Sequence, residues 1–267
     1  MNRIESMFAD LKKKKETALI PFITAGDPDI QTTEALVIEM AKNGADLIEL
    51  GLPFSDPLAD GPTIQAASQR ALAGGMNTEK FFKLSAKIRE KTEVPLVLMG
   101  YYNPIYKYGL EKFAKDAAQA GIDGTIIPDL PLEESGPWMK AAKKNGLANI
   151  FLIAPNTPSD RIKKIGKASQ GFLYYVSVTG ITGARTELPP ELAKGLNKAQ
   201  KLVSIPLAVG FGISKPEQVA MLSEVADGII VGSAIVKLIE KNSQNLEKAI
   251  KEVGKFVKSL KKATKPA

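Results

Sequence analysis

The chain has 267 residues, of which 44% are apolar and 24% are charged, and its formal net charge is +7. This composition is typical of a globular protein with a large core. Cysteine and histidine are both absent. Their absence excludes disulfides, thiolate or imidazole catalysis, and metals bound by Cys or His. Any acid or base in this chain must therefore be an Asp, Glu, Lys or Tyr side chain.

Much of the positive charge lies in lysine runs at 12–15 and after 254. These runs lack interleaved aromatic residues and arginine, so we interpret them as solvated helix faces and a tail that frays from about residue 261. No apolar run approaches the roughly 18 residues of a membrane span, and residues 1–16 lack the apolar core of a signal peptide. We expect a cytoplasmic protein with neither nucleic acid nor membrane as a partner.

Short apolar segments alternate with longer amphipathic ones along the chain, which predicts strands that alternate with helices. The predicted strands are 18–23, 46–50, 96–99, 124–127, 148–153, 172–176, 206–209 and 228–231. The predicted helices between them are 31–43, 78–91, 110–119, 133–144, 159–168, 190–202, 216–223 and 234–241.

Continuous apolar strands indicate a parallel sheet that is buried on both faces. Eight strand–helix units in a chain of this length predict an α/β fold, a (β/α)8 TIM barrel with a single domain over 1–267. A doubly wound sheet is the alternative, because spacing does not show closure. We favour the barrel because no G-x-G-x-x-G turn follows the first strand.

Three additional helices decorate this repeat. The first, at the N terminus, carries Ile4, Phe8 and Leu11 on one face, and we expect it to cover the barrel floor. The second is a short helix after strand 2, with a proline near its start and two glycines at its end. The additional helices are predicted at 2–14, 61–75 and 244–260.

Active sites of such barrels form where the strands end. No strand here ends in lysine, which argues against a Schiff-base aldolase. Glu49 lies between Ile48 and Leu50 on the second strand, so it faces the barrel mouth if those neighbours face the helices. Burial would raise its pKa, which suits a group that gives and takes a proton. The alternative is a glutamate that bonds to neighbouring backbone or hydroxyl groups.

Two further residues lie near the predicted mouth. Asp60 follows the same strand in "PLADGP", where the alternative is ordinary Asp-Gly turn chemistry. Tyr174 lies on the sixth strand, where the alternative is a half-buried core aromatic. We treat Asp60 as a candidate because its loop follows the strand that carries Glu49.

The last two strand–helix turns predict a phosphate site. The glycines of "GFGIS" allow close approach of an oxyanion, and Gly232 and Ser233 begin a helix whose free N–H groups favour a phosphate. Ordinary capping is the alternative, since Ser214 and Glu217 match a capping box. The loop at 179–186, "TGITGART", is predicted to close over a ligand, with a flexible loop as the alternative.

Several motifs together resemble the tryptophan synthase α subunit family over roughly residues 3–258. They are "PFITAGDP", "LIELGLPFSDPLADGPTIQ", "GYYNP", "PDLP", "APNTP", "TGITGAR", "VGFGIS" and "VGSAIV". The resemblance implies a lyase of L-tryptophan biosynthesis. Such an enzyme cleaves indole-3-glycerol phosphate to indole and glyceraldehyde 3-phosphate by retro-aldol chemistry.

The resemblance also implies residue roles. Glu49 would protonate C3 of the indole ring and take a proton from the adjacent side-chain hydroxyl. Asp60 would accept the indole N–H, and Thr182 would orient Asp60 when its loop closes. The implied substrate-binding residues are Phe22, Tyr174, Thr182, Gly183, Phe211, Gly212, Gly232 and Ser233.

The family works as an α2β2 complex, so the resemblance implies a β-subunit partner that carries pyridoxal phosphate. It implies neither a cofactor nor a metal in this chain. Pro53 and Asp56 would lie at the partner interface, although Asp56 also reads as an ordinary turn residue. A free-standing lyase and a non-catalytic phosphate-binding activator are the alternative functions.

Overall fold

The structure, a computed structural model, describes residues 2–176, 190–210 and 212–265. The strands are β1 (Ala18–Thr24), β2 (Ile48–Gly51), β3 (Leu96–Met99), β4 (Gly124–Ile126), β5 (Ala148–Ile150), β6 (Leu152–Ile153), β7 (Leu173–Val176), β8 (Leu207–Gly210) and β9 (Gly228–Val231). The helices are α1 (Arg3–Lys14), α2 (Ile30–Lys42), α3 (Pro62–Ala73), α4 (Thr78–Arg89), α5 (Tyr102–Tyr108), α6 (Leu110–Gln119), α7 (Gly136–Lys144), α8 (Ser159–Ala168), α9 (Pro190–Gln200), α10 (Pro216–Ser223), α11 (Ser233–Lys241) and α12 (Leu246–Ala263).

The described strands are all parallel and pair in the order β5-β4-β3-β2-β1-β9-β8-β7-β6. The two ends of this order, β5 and β6, are halves of one predicted strand that is interrupted at Phe151. The Tyr174 N–H donates to the carbonyl of Phe151 at 3.0 Å, beside the interruption. The sheet is therefore a nearly closed barrel, and the predicted TIM-barrel fold is confirmed.

Alternate residues of the strands belong to two separate apolar clusters. Residues such as Ile20 and Val97 fill the barrel interior, whereas Ile48 and Leu50 pack between the strands and the helices. Because successive strand residues point to opposite faces, Glu49 points into the barrel. The predicted orientation of this glutamate is confirmed.

Helix α1 covers the floor of the barrel, as predicted. Ile4, Phe8 and Leu11 belong to the same cluster as the interior strand residues. The Asn2 side chain accepts the Ile4 N–H at 2.7 Å, and the Glu5 carboxylate accepts the Asn2 N–H at 3.2 Å. This capping box begins the helix where its apolar face meets the strands.

Three aspartates at the floor hold the starts of strands. Each lies at or just before the next strand along the chain, and its carboxylate accepts a backbone N–H from the preceding strand. This arrangement fixes each pair of neighbouring strands in register at the end of the barrel opposite the candidate site. The three bonds are Leu19 N to Asp46 Oδ2 (2.7 Å), Leu96 N to Asp123 Oδ2 (2.9 Å) and Leu207 N to Asp227 Oδ2 (2.8 Å).

Several elements differ from the sequence prediction. Helix α7 begins at Gly136 rather than 133. Helix α5 was not predicted, because its aromatic-rich sequence "YNPIYKY" lacks a clear amphipathic period. Helix α12 continues to Ala263, beyond the predicted end at 260 and into the segment that was expected to fray. The Lys261 ammonium lies 2.9 Å from Asp46 and 3.1 Å from Glu16. These ion pairs connect the last turn of α12 to segments that precede β1 and β2.

Candidate active site

Glu49 lies on β2, in register with Phe22 of β1 and Val97 of β3. Only 3% of the residue is exposed, and its Oε2 atom has no hydrogen-bond partner among the described residues. Burial, and then the charge of Asp60, raises the pKa of Glu49 from 4.5 to about 8. The predicted rise is confirmed, so the Glu49 carboxyl is mainly protonated at pH 7.

Asp60 is half-buried in the loop between β2 and α3. Burial raises its pKa, and a hydrogen bond from the Tyr101 hydroxyl opposes that rise. The same hydroxyl accepts the Ala59 N–H at 3.0 Å. The Tyr101 hydroxyl therefore contacts both the backbone and the carboxylate of this loop. An ordinary Asp-Gly turn requires neither of these contacts.

Tyr101 was not predicted as a site residue. It is 2% exposed, and its ring centroid lies 5.5 Å from that of Phe54 in the same loop. Burial and the negative charge of Asp60 raise the pKa of Tyr101, which keeps its hydroxyl protonated. The sequence signal that could have identified Tyr101 as a site residue is its position just after β3, because β3 neighbours the strand that carries Glu49.

Phe22 forms part of the wall beside Glu49. A β-carbon at Gly51 would lie 2.8 Å from Phe22 Cζ, whereas one at Gly232 would lie 3.4 Å from Phe22 Cδ1. The first distance is too short for a real contact, so Gly51 is required where the phenyl ring crosses its backbone. The ring thus lies between the end of β2 and the start of α11.

Tyr174 is half-buried on β7 and packs against the interior cluster. A β-carbon at Gly210 would overlap the Tyr174 hydroxyl, so this glycine of β8 provides the room for it. Burial, and then the charges of Glu49 and Asp60, raises the pKa of Tyr174. The tyrosine therefore presents a protonated hydroxyl close to both carboxyl groups, which a core aromatic need not do.

The turns after β8 and β9 have the backbone of an anion site. Gly212 has a φ of +64°, in the left-handed region that favours glycine. Gly232 precedes the first residue of α11, Ser233, and its carbonyl accepts the Ile235 and Val236 N–H groups. The N–H groups of Ser233 and Ala234 come before these bonds and have no partner within the helix, so they can receive a phosphate.

The predicted capping box of Ser214 and Glu217 is wrong. The Gln218 side chain makes the reciprocal contacts, and its Oε1 accepts the Ser214 N–H at 2.8 Å and the Lys215 N–H at 3.1 Å. Helix α10 begins at Pro216, so the capping position lies one residue later than the sequence match suggested.

Three predicted substrate-binding residues lie outside the described residues. They are Thr182, Gly183 and Phe211, and the loop at 179–186 lies outside with them.

The predicted partner residues have different surroundings. Pro53 is buried, whereas Asp56 is exposed and accepts a hydrogen bond from Ser55 Oγ at 2.5 Å. Two residues nearby were not predicted. Leu58 of the same loop is 92% exposed and Tyr106 of α5 is 66% exposed. The segments that follow β2 and β3 therefore each carry one exposed large hydrophobic side chain.

Two further observations concern metal-binding clusters and membrane-spanning helices in the part of the chain that the structure describes. No three acidic side chains there are grouped so that they could hold a metal ion. In the same part of the chain, no helix is both long enough and apolar enough to cross a membrane.

Comparison of the sequence with known families finds a match over residues 8–265 to the family described as tryptophan synthase alpha chain. The tryptophan synthase alpha chain of Geotalea uraniireducens is 50% identical over 265 residues, which are 99% of this chain and 98% of the relative. That of Caldanaerobacter subterraneus subsp. tengcongensis is 51% identical over 261 residues, covering 98% of this chain and 99% of the relative.

Solved structures show the same similarity. Tryptophan synthase subunit alpha from Legionella pneumophila superposes with a TM-score of 0.92 at 39% identity, covering 99% of this chain and 98% of the other. A chain of the tryptophan synthase α2β2 complex from Pyrococcus furiosus superposes with a TM-score of 0.86 at 41% identity, covering 92% and 98%.

Proposed function

Because this chain belongs to the tryptophan synthase alpha chain family, we propose that Glu49 and Asp60 carry out the reaction of that family. The chain is a carbon–carbon lyase of tryptophan biosynthesis that cleaves indole-3-glycerol phosphate to indole and glyceraldehyde 3-phosphate. One observation supports the assignment above all. Glu49 is a buried acid with a pKa of about 8 beside a second carboxyl group.

Protonated Glu49 donates its proton to C3 of the indole ring, which leaves a positive charge on the ring. The Asp60 carboxylate accepts a hydrogen bond from the indole N–H and stabilises that charge. The Glu49 carboxylate then takes the proton of the hydroxyl on the carbon attached to C3. That carbon becomes the aldehyde, the bond to C3 breaks, and its electron pair neutralises the ring. Glu49 ends the step protonated, as it began.

The substrate would lie with its indole ring against Phe22 and its phosphate at the turns after β8 and β9. Tyr174, whose hydroxyl stays protonated, would donate a hydrogen bond near the reacting carbons. The proposed phosphate-binding residues among the described ones are Gly212, Gly232 and Ser233. Thr182, Gly183 and Phe211, which lie outside the described part of the chain, are proposed in the roles that the sequence predicted for them.

The proposed active site needs no metal and no cofactor of its own, because the Glu49 carboxyl group can both donate and accept the proton that moves. Pyridoxal phosphate belongs to the β subunit in the family's complex. The exposed residues Asp56, Leu58 and Tyr106 would contact that subunit in an α2β2 complex. Pro53, which is buried, would shape the loop from beneath. A cytoplasmic location fits the absence of cysteine.

Release of indole from indole-3-glycerol phosphate, followed by absorbance, tests the catalytic assignment. Glu49→Gln keeps the size of the side chain but removes the acid, so turnover should fall by about 10²–10⁴-fold. Asp60→Asn should lower turnover by about 10²-fold, since it removes a charge that stabilises the cationic ring. Glu252→Gln, on α12, which carries no residue of the proposed site, is the control and should retain wild-type turnover. Near-normal indole release by Glu49→Gln would contradict the proposal.

A further inference from the structure

Arg70 of α3 connects three segments of the barrel rim. Its Nε and Nη2 atoms donate to the two carboxylate oxygens of Asp27, at 2.8 and 2.9 Å. Its Nη1 atom donates to Glu240 Oε1 at 2.8 Å. Asp27 is only 2% exposed, so the arginine neutralises a buried carboxylate and also reaches a surface one.

Each of these segments also carries part of the proposed site. Asp27 lies three residues after the end of β1, the strand that carries Phe22. Helix α3, which carries Arg70, begins two residues after Asp60. Helix α11, which carries Glu240, begins at the proposed phosphate turn. The guanidinium group therefore joins the elements that hold the ring pocket, the second carboxylate and the phosphate.

Two apolar clusters connect these elements. The first, which we call the rim cluster, has Phe22, Ile64, Ala67 and Val236 as its buried members. The second is the main cluster between strands and helices, to which Ala71 of α3 and Ile235 of α11 belong. Apolar contacts are not directional, so they do not by themselves fix the position of α3 along α11. A bidentate, charge-assisted bond has a fixed geometry, and a lysine at the same place could not reproduce it.

We infer that Arg70 is a positioning residue that holds Asp60 at its working distance from the phosphate turn at Ser233. The inference rests on the proposed roles of Asp60 and of that turn. Without the guanidinium bridge, the substrate phosphate would still bind, because α11 keeps its own N–H groups. The indole N–H would then lie out of line with Asp60, and a misplacement of about 1 Å can lower a rate by up to about 10²-fold.

Arg70→Lys tests this inference, because it keeps a positive charge beside Asp27 and loses the bidentate bond. We expect kcat for indole release to fall by about tenfold. The KM and the inhibition constant for inorganic phosphate should stay within about twofold of wild type, since the phosphate turn is unchanged. Glu240→Gln, which removes only the negative charge of the surface partner, should give a smaller fall of the same kind.

Arg3→Lys is the control at the opposite end of the barrel. Arg3 also bridges a buried aspartate, Asp123, and a surface glutamate, Glu93, although Arg89 is a second partner of Asp123. The kcat values of the two lysine variants are therefore compared where circular dichroism shows both variants to be folded. A positioning role would then lower only the kcat of Arg70→Lys. An equal fall in kcat for the two variants, or an unchanged kcat in Arg70→Lys, would overturn the inference.

A second comparison separates this inference from the proposed function. In an Asp60→Asn background, Arg70→Lys should lower kcat by less than twofold, because the group that it positions is gone. A full tenfold fall in that background would contradict a role through Asp60. If Asp60→Asn alone leaves kcat unchanged, the proposed role of Asp60 fails. If Asp60→Asn lowers kcat but Arg70→Lys does not, only the inference about Arg70 fails.

Discussion

Replacing Glu49 by Gln should change how the stability of the chain depends on pH. The pKa of Glu49 is about 8 in the folded chain, against an ordinary value of 4.5. Below pH 4.5 the carboxyl is protonated in both the folded and the unfolded chain. Between pH 4.5 and 8 the unfolded chain releases this proton and the folded chain keeps it, so a rise in pH favours unfolding.

The pKa difference converts to a free energy of about 5 kcal/mol, at about 1.4 kcal/mol for each pKa unit. Wild-type stability thus loses about 5 kcal/mol through Glu49 between pH 4 and pH 9. Gln is neutral throughout this range, so the variant does not lose that contribution. The other titrating groups are common to both proteins and cancel in the difference between them.

Urea unfolding followed by circular dichroism, at steps from pH 4 to pH 9, measures this difference. The unfolding free energy of Glu49→Gln minus that of wild type should rise by about 5 kcal/mol from pH 4 to pH 9. A difference that stays constant within about 1 kcal/mol would show that Glu49 keeps an ordinary pKa in the folded chain. That result would refute the buried, neutral acid on which the proposed mechanism depends.

Two other substitutions test the surroundings of Glu49, and a third tests the proposed contact with the β subunit. Tyr101→Phe removes the hydrogen bond that favours ionised Asp60, so the acidic limb of the kcat–pH profile should move to higher pH; an unmoved limb would contradict the contact. Gly210→Ala places a methyl group against the Tyr174 hydroxyl and should lower the unfolding free energy by about 1–3 kcal/mol, measured by urea unfolding. Leu58→Ser should leave the stability of the isolated chain within about 0.5 kcal/mol but weaken binding to the β subunit in a titration; unchanged binding would place the interface elsewhere.

The sequence predicted most of the barrel because its strands are short apolar runs between amphipathic segments. Glu49 could be identified because a charged residue between Ile48 and Leu50 interrupts such a run, and alternation decides which way it points. The rise of its pKa could be expected from burial, and the charge of Asp60 adds to that rise in the structure. These features depend on near neighbours in the chain, so a single sequence contains them.

Features that depend on contacts between distant segments could not be predicted. The hydrogen bond between Tyr101 and the Asp60 loop joins the ends of neighbouring strands, and nothing in the local sequence of Tyr101 indicates it. The burial of Pro53 is likewise a property of the folded rim. Beyond its predicted end, α12 carries Lys261, which pairs with Glu16 and Asp46 from distant parts of the chain. Strand spacing specifies none of these contacts.

The central claim is that the acid form of Glu49 starts the reaction. The pH dependence of kcat/KM for indole release by the wild-type chain tests it most directly, because this parameter reports the pKa values of the free enzyme. The account predicts that kcat/KM falls on the alkaline side with an apparent pKa of about 8. A kcat/KM that stays level from about pH 7 to pH 10, while circular dichroism shows a folded chain, would contradict it.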